Sequence, residues 1–345
     1  MLRLHEYRYH RPRNLAEACA LLAGREDALP IAGGTDLVPN MKHRLWTPRH
    51  LVGLKAIAEL QGVGFLDASG ATVADHDPSA RTLAIGAAAT LSAISRDPRI
   101  RRLFPSLATA AGKVAGPQIR NQGTLGGNLC LDTRCTYYNQ SLFWRQALGF
   151  CLKKDGDICH VTRVGKKCVA ANSADTPPVL MTLGAVVDLA SAEGGRTLPV
   201  ESFFLSDGSW NTVRAPHELV VRVRIPLPAA GLRTSYQKLR QRGAIDFPLL
   251  SVATAAEVEE DETVRSITVV VSALGARPRV VAGLEKVAVG GRLSEVSDAV
   301  AEHAHRQCHP LENLIVDAEW RRAMVPIYVR RALEEMGRSS VPGRN

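Results

Sequence analysis

Two short glycine segments constrain the fold of this chain most. The first, Ile31–Leu37 (Ile-Ala-Gly-Gly-Thr-Asp-Leu), follows an apolar run, and the second, Gly123–Asn128 (Gly-Thr-Leu-Gly-Gly-Asn), comes about 90 residues later. Because glycine has no Cβ, its backbone can approach an anion closely, and successive N–H groups in such a turn form a concave donor site for phosphate. Thr35 adds a hydroxyl donor. Each segment alone indicates only a turn, but the two together could clamp one pyrophosphate from both sides.

Other nucleotide-binding signatures are missing from the sequence. A Rossmann domain needs Gly-x-Gly-x-x-Gly between a strand and a helix, and the nearest candidate, Gly62–Asp67, lacks the third glycine. There is no Walker A sequence either. A nicotinamide-binding Rossmann domain is therefore disfavoured.

The remaining pattern mixes helices and strands without a regular βαβ rhythm, which predicts an α+β fold. A helix is expected at 14–24, where Asn14 can cap the start and Glu17 completes the capping box. Pro226–Gly231 indicates a domain boundary. Strands are expected near 50–54, 71–74, 82–85, 179–189, 219–225, 249–257 and 264–274, and helices near 90–97, 102–115, 295–306 and 318–336.

Charge and hydropathy narrow the class of protein. The formal net charge is +9, but the Lys and Arg residues are scattered and no nucleic-acid-binding signature is present, so a basic surface that suits an acidic partner protein is preferred over nucleic-acid binding. The first ten residues do not form a secretory signal, and no charge-free apolar run reaches membrane-spanning length. The sequence therefore predicts a soluble cytoplasmic protein.

Five of the seven cysteines fall between positions 130 and 168. In a cytoplasmic chain such crowding favours metal over disulfides. The spacings lack the Cys-x2-Cys pairs of most zinc sites and the ferredoxin Cys-x2-Cys-x2-Cys run, and four thiolates are the usual ligand set of an iron–sulfur cluster. A cluster is preferred over zinc, and unrelated buried cysteines remain the alternative. The aromatic residues nearby would keep solvent off a cluster: Tyr137, Tyr138, Phe143, Trp144 and Phe150.

No catalytic constellation is evident in the sequence, so no catalytic residue is predicted. Acidic runs such as Glu259-Glu260-Asp261 are typical of a solvated turn. The absence fits a chain that holds redox cofactors while the bond chemistry takes place in another subunit.

The segments Ala32–Leu37 and Thr124–Asn128 resemble the FAD-binding medium subunit of the xanthine dehydrogenase and carbon monoxide dehydrogenase family. The resemblance continues through Leu83–Thr90, Tyr236–Pro248 and the final helix. It implies a two-part FAD-binding domain of the molybdopterin-dehydrogenase (vanillyl-alcohol-oxidase-like) type, followed by a small α+β C-terminal domain. The expected extents are 1–55 and 56–226 for the two FAD-binding subdomains, 232–338 for the C-terminal domain and 339–345 for a tail.

Most members of that family pass directly from the Gly-Gly-Asn turn to a segment like Asn172–Pro178, whereas here roughly 40 residues intervene. The run Gly126–Ser141 is similar to the β subunit of enzymes of the 4-hydroxybenzoyl-CoA reductase type, in which the insertion (here about 130–170) holds a [4Fe-4S] cluster. The ligands that this resemblance implies are Cys135, Cys151, Cys159 and Cys168, and Cys130 is left over.

The resemblance also implies an electron path and partners. Reduced ferredoxin would supply electrons to the [4Fe-4S] cluster, and FAD would pass them to two [2Fe-2S] clusters in a small partner subunit. A molybdenum cofactor in a large partner subunit would then dehydroxylate the aromatic ring reductively, as part of aromatic degradation. The family assembly is a heterohexamer, a dimer of heterotrimers.

Two alternatives stay open at this point. The first is the FAD subunit of another molybdenum hydroxylase, xanthine or CO dehydrogenase-like, which passes electrons outward to NAD or another acceptor. The second is a zinc-stabilised nucleotide-binding module without a redox role.

The residues expected to contact FAD are carried over from the resemblance. Two of them, Asp175 and Lys238, are expected near the flavin, with Arg242 and Asp246 as weaker candidates. The pyrophosphate and ribityl contacts are expected from Ile31, Ala32, Gly33, Gly34, Thr35, Asp36, Leu37, Thr124, Leu125, Gly126, Gly127 and Asn128.

Overall fold

A computed structural model describes residues 2–162 and 165–338. The expected tail, 339–345, lies outside these residues, as do Met1 and positions 163 and 164 in the cysteine-rich stretch. In the described part of the chain, no helix has the length and apolar character needed to cross a membrane.

The first unit is a small parallel sheet with two helices. Its three strands lie in the order β1-β3-β2, and both pairs are parallel. The sequence pattern, which lacks a regular βαβ rhythm, did not indicate this small parallel sheet, because strands of three or four residues are too short to show a strand period. The elements are β1 (Arg8–His10), α1 (Leu15–Ala23), β2 (Ala28–Ile31), α2 (Leu37–Lys42) and β3 (His50–Gly53).

The predicted cap of α1 is confirmed. Asn14 Oδ1 accepts a 2.8 Å hydrogen bond from the Glu17 N–H, and Glu17 Oε2 accepts one of 2.8 Å from the Arg13 N–H. The side chains satisfy N–H groups that have no acceptor within the helix.

The second unit is built on a six-stranded antiparallel sheet in the order β5-β4-β6-β9-β7-β8. Helices cover one face and enclose a core that contains Leu83, Leu107 and Val223. Its strands are β4 (Val63–Leu66), β5 (Thr72–Val73), β6 (Thr82–Gly86), β7 (Val186–Ser191), β8 (Gly194–Pro199) and β9 (Leu219–Pro226). Its helices are α3 (Leu91–Arg96), α4 (Pro98–Leu103), α5 (Pro105–Lys113), α6 (Pro117–Gln122), α7 (Leu125–Leu129), α8 (Leu142–Leu148), α9 (Thr176–Thr182) and α10 (Val200–Phe203).

One predicted strand in this unit is partly wrong. The apolar run 179–189 is expected to be extended throughout, but its first part belongs to α9 and only its end belongs to β7. Pro177 and Pro178 lie in the first turn of α9, where proline fixes a helical φ and needs no N–H partner. Apolar residues alone do not distinguish a buried helix from a buried strand.

The third unit places helices on a four-stranded antiparallel sheet in the order β10-β11-β12-β13. Arg321 is fully buried there and donates hydrogen bonds to the carbonyl oxygens of Leu249, Leu311 and Ala273. The elements are β10 (Leu232–Leu239), β11 (Leu250–Val258), β12 (Val264–Ser272), β13 (Arg279–Val280), α11 (Glu285–Ala288), α12 (Leu293–Gln307) and α13 (Ala318–Arg338).

Candidate functional site

A deep cleft lies where the three units meet. Both glycine segments line it, together with Ala87 and Ala88 beside β6, Asp175 before α9, and the loop 245–247 after β10. Of the residues predicted to contact the cofactor, all line this cleft except Leu125, Lys238 and the weaker candidate Arg242, whose side chain pairs with Asp246 instead. Leu125 is fully buried in the core of the second unit, so its side chain is directed away from the cleft.

The first glycine segment, which connects β2 to α2, presents free hydrogen-bond donors. In the part of the chain that the structure describes, the backbone N–H groups of Gly33, Gly34 and Thr35 have no acceptor. Gly34 has a φ of +68°, a left-handed conformation that turns neighbouring N–H groups toward one side. The segment therefore fits an anionic group such as a pyrophosphate.

The second glycine segment is the start of a helix, which corrects its interpretation as a simple turn. Thr124 caps α7, and its Oγ1 accepts a 3.1 Å hydrogen bond from the Gly127 N–H. The N–H of Gly126 donates to Ala87 O at 2.8 Å, so this amide is already used within the protein. A Cβ on Gly126 would lie 2.8 Å from the Ala87 Cβ, and the glycine is therefore required for packing.

The two glycine segments touch each other through their backbones. A Cβ built on Gly33 would lie 2.0 Å from Gln122 O and 3.0 Å from Gly123 N. Lys55 Nζ adds a 2.5 Å hydrogen bond to Gln122 Oε1 beside this contact. Only glycine at position 33 lets the first unit approach the second this closely.

Asp175 forms a buried charged pair with Lys238 at the back of the cleft. Lys238 Nζ lies 2.9 Å from Asp175 Oδ1, and the Tyr236 hydroxyl donates to the same oxygen at 2.5 Å. Burial raises the pKa of Asp175 and lowers the pKa of Lys238, while their mutual attraction opposes both shifts. Lys238 thus reaches the cleft only through Asp175, and it also donates to Lys113 O at 3.0 Å.

The structure adds cleft residues that the sequence motifs did not indicate. Asn40, on α2, is 3% exposed, and Trp210 and Arg214 lie on the loop before β9. Cys130 also lines the cleft, with Arg214 beside its thiol. The signal that could have found Asn40 is its place one turn after Asp36, on the helical face that carries Asp36.

The described part of the cysteine segment, residues 130–170, is held to the rest of the protein by contacts near its two ends and from α8. Arg134 and Ala171 pair in antiparallel fashion, with N–O distances of 2.8 and 2.7 Å. Arg145 of α8 is 1% exposed and donates to the carbonyl oxygens of His43 and Arg44 at 2.8 and 3.2 Å. Lys153 Nζ contacts Asp132 Oδ1 at 2.6 Å. The segment is therefore a packed part of the protein.

The four cysteines implied as ligands lie near one another. Burial, with a smaller contribution from the neighbouring Cys168 and Cys151, raises the pKa of the Cys135 thiol to about 11. Burial likewise raises the pKa of Cys168, with Cys151 and Cys159 as neighbours. Cys130, by contrast, interacts with Arg214 rather than with these thiols. Cys130 thus interacts with Arg214, a residue of the cleft.

Backbone N–H groups are directed at two of these sulfur atoms. The Ala170 N–H donates to Cys168 Sγ at 3.4 Å, and the Thr162 N–H donates to Cys159 Sγ at 3.5 Å. Such hydrogen bonds stabilise thiolates. Among the described residues, however, no group of three or more His, Cys, Asp or Glu side chains is arranged to hold a metal ion. The thiols are neighbours that do not converge on one point.

The expected aromatic shield around these cysteines is only partly present. Tyr138 is 2% exposed and packs with Cys135 and Cys151. Phe143 is 82% exposed and therefore shields nothing. Helix α8 turns Phe143 outward because its neighbour Arg145 occupies the buried face.

Comparison with known proteins identifies the class. Residues 5–228 match the family described as the FAD binding domain in molybdopterin dehydrogenase, and residues 234–336 match the CO dehydrogenase flavoprotein C-terminal domain. The carbon monoxide dehydrogenase medium chain of Hydrogenophaga pseudoflava is 29% identical over 329 residues, 95% of this chain and 96% of that protein. The aldehyde oxidoreductase FAD-binding subunit of Escherichia coli K12 is 32% identical over 256 residues, 72% of this chain and 76% of that protein.

A solved structure of the carbon monoxide dehydrogenase from Hydrogenophaga pseudoflava superposes with a TM-score of 0.77 at 26% identity, covering 97% of this chain and 98% of that one. The fold and cleft are those of a flavin-binding oxidoreductase subunit. The chain belongs to the FAD-binding medium subunits of the molybdenum hydroxylase family, of the CO dehydrogenase and xanthine dehydrogenase type. The predicted α+β fold, with an FAD-binding domain and a small C-terminal domain, is confirmed.

We predict that Gly33→Ala weakens FAD binding. The new Cβ would overlap Gln122 O, so the two glycine segments must separate at a cost of about 1–3 kcal/mol. The dissociation constant of FAD, measured by titrating deflavinated protein, should rise accordingly. Gly64→Ala in β4, where a Cβ meets no atom within 4 Å, is the matched control. Equal affinities for both variants would contradict the role assigned to the backbone contact.

We predict that Asp175→Asn destabilises the protein by about 3 kcal/mol, because Lys238 then remains buried without its counter-charge. Urea unfolding monitored by circular dichroism measures the change. Adding Lys238→Met in the same chain should recover much of the lost free energy of unfolding. A single variant as stable as the wild type would show that the pair is not energetically coupled.

Proposed function

We propose that this chain carries electrons through its FAD within a molybdenum enzyme of several subunits. The expected partners are a large subunit with the molybdenum cofactor and a small subunit with two [2Fe-2S] clusters, assembled as a dimer of heterotrimers. Support comes from the end-to-end similarity to a protein named as the medium chain of carbon monoxide dehydrogenase. Bound FAD would supply one- and two-electron chemistry.

The residues of the cleft fit that cofactor. The three free N–H groups at Gly33, Gly34 and Thr35 suit the pyrophosphate, whose negative charge they would stabilise by hydrogen bonds. Apolar lining from Ile31, Ala87 and Ala88 suits uncharged rings. Asp175, Thr124 and Asn128 complete the lining with polar groups.

The direction of electron flow separates two forms of the proposal. The similarity to carbon monoxide dehydrogenase, aldehyde oxidoreductase and xanthine dehydrogenase subunits favours electrons moving outward, from the partner subunits through FAD to NAD or another acceptor. This is the nearer fit to the comparisons.

A specific observation favours a second form, the 4-hydroxybenzoyl-CoA reductase type. Cys135, Cys151, Cys159 and Cys168 interact with one another, and two of them accept hydrogen bonds from backbone N–H groups, whereas Cys130 interacts with Arg214. In a [4Fe-4S] cluster each thiolate binds a different iron, so the ligands need not converge as they do on a single ion. In this form electrons from ferredoxin enter at the cluster and reach the partner subunits through FAD, for reductive dehydroxylation of an aromatic ring.

The surface around the cysteines is compatible with a protein donor. Phe143 is 82% exposed and Ile158 is 58% exposed, and the exposed Lys166 and Lys167 lie between Cys159 and Cys168 in sequence. Apolar groups with positive charge nearby suit an acidic electron carrier such as ferredoxin.

We predict that protein purified without oxygen contains one FAD with about four iron and four sulfide per chain, as a cubane cluster bound by four cysteines requires. Flavin absorbance, iron and acid-labile sulfide are measured on the same sample. FAD without iron would favour the first form of the proposal, in which electrons flow outward through FAD to an acceptor. Stoichiometric zinc would point to a structural role for the cysteines.

We also predict that Cys151→Ser removes the iron and its visible absorbance while FAD is retained, because the substitution removes one of the four thiols. Cys130→Ser is the matched control, since Cys130 interacts with Arg214 and is not among the proposed ligands. Iron content that is unchanged in Cys151→Ser, or lost in Cys130→Ser, would overturn the proposed ligand set.

A further inference from the structure

Arg134 connects the cysteine segment to the flavin cleft. It directly precedes Cys135, and its guanidinium forms an ion pair with Asp36 of the first glycine segment. Its Nη1 also donates to Asn40 Oδ1 at 3.4 Å, and its guanidinium carbon lies 4.6 Å from the centre of the Phe247 ring. Asp36, Asn40 and Phe247 all line the cleft. One side chain therefore contacts the cleft wall at three points.

The backbone of Arg134 is also held in place by hydrogen bonds. Its N–H and carbonyl pair with Ala171 at the base of the cysteine segment, and Asp132 N–H donates to Asp36 Oδ2 at 3.4 Å. A displacement of the cysteine segment must therefore move Asp36, which directly precedes α2. The Arg134 side chain is 15% exposed, so solvent screens its pairing with Asp36 only partly.

The side-chain amide of Asn40 has a hydrogen-bond donor that a ligand in the cleft could use. Asn40 Oδ1 accepts from Arg134, which leaves Nδ2 as the remaining donor of the amide. Nδ2 is buried and has no hydrogen-bond partner among the described residues, although Asn40 lines the cleft. A buried donor without an acceptor is costly, and a bound acceptor would remove the cost. Arg134 thus determines which way Asn40 presents its donor.

We propose that Arg134 is a positioning residue that sets the first glycine segment and Asn40 from within the cysteine segment, so that FAD affinity depends on how the cysteine segment is held. The proposal rests on the FAD site and the cluster proposed above. Because coupling between two sites is reciprocal, loss of iron would weaken FAD binding and loss of FAD would weaken iron retention.

Arg134→Gln tests the first part in the full-length chain. The amide removes the charge, and we expect the dissociation constant of FAD to rise about tenfold, within the usual range of coupling between sites. Arg233→Gln is the matched control, because Arg233 is also 15% exposed and pairs with Glu262 outside the cleft. Its FAD affinity should stay within about twofold of wild type. Equal affinities for the two variants would overturn the proposal.

Iron depletion tests the dependence on the cysteine segment. Chelation of iron should weaken FAD binding in the wild type and have no further effect in Arg134→Gln. Equal weakening in both proteins would overturn the coupling. If the wild type contains no iron but Arg134→Gln still weakens FAD, the positioning role stands and the cluster proposal fails. The two proposals therefore fail separately.

A purely structural role for Arg134 is distinguished by two further readouts. Arg134→Lys keeps the charge and should restore most of the affinity, whereas the visible circular dichroism of bound FAD should change in Arg134→Gln. If Arg134→Gln does not fold, Arg134→Lys carries the test, with an expected weakening of about threefold from loss of the planar contacts to Asn40 and Phe247. Wild-type affinity and spectrum in Arg134→Lys, together with an unfolded Arg134→Gln, would assign Arg134 to stability alone.

Discussion

The close backbone contact between Gly33 and Gln122 is the constraint on which the cleft depends. It joins the first unit, which is built on a parallel sheet, to the helices of the second unit, which is built on an antiparallel sheet. The two sheets share no strand pairing. Any side chain at position 33 would force these units apart, so the absence of one atom sets the width of the cleft. The free N–H groups next to this contact are useful only because the contact holds them in one place. The third unit is attached to the second through Lys113, whose carbonyl accepts a hydrogen bond from Lys238 and whose Nζ donates one to Tyr236 O.

The sequence predicted much of this arrangement for identifiable reasons. Gly33 and Gly34, together with the second glycine segment, indicate a backbone that binds an anion, whereas either segment alone indicates only a turn. The cap of α1 follows from Asn14 and Glu17, which act locally. The errors have equally specific causes. The second glycine segment contains a helix start because Thr124 caps it, and Gly126 serves packing against Ala87, a residue nearly 40 positions away. Nothing near position 126 in the sequence indicates that neighbour.

Long-range contacts explain what the sequence could not supply. Asn40, Arg134 and Phe247 meet at the cleft although they lie on three different elements, and no spacing rule connects them. The pair formed by Asp175 and Lys238 is similar: the sequence predicts each residue near the flavin, but only the structure shows that one reaches the cleft through the other. The four cysteines are grouped by resemblance, and only the structure shows that they interact with one another. All of these are tertiary contacts between residues far apart in the sequence, so they can be identified only from the folded structure.

The pairing of Arg134 with Ala171 has a consequence for the history of the chain. It brings the two ends of the cysteine segment side by side, so the polypeptide leaves the body of the protein and returns to it at nearly the same point. A segment with adjacent ends can be gained or deleted without stretching the sheets that flank it. The same scaffold could thus have served with and without this addition during evolution. Such an exchange would add or remove the four cysteines in one step while the sheets on either side kept their places.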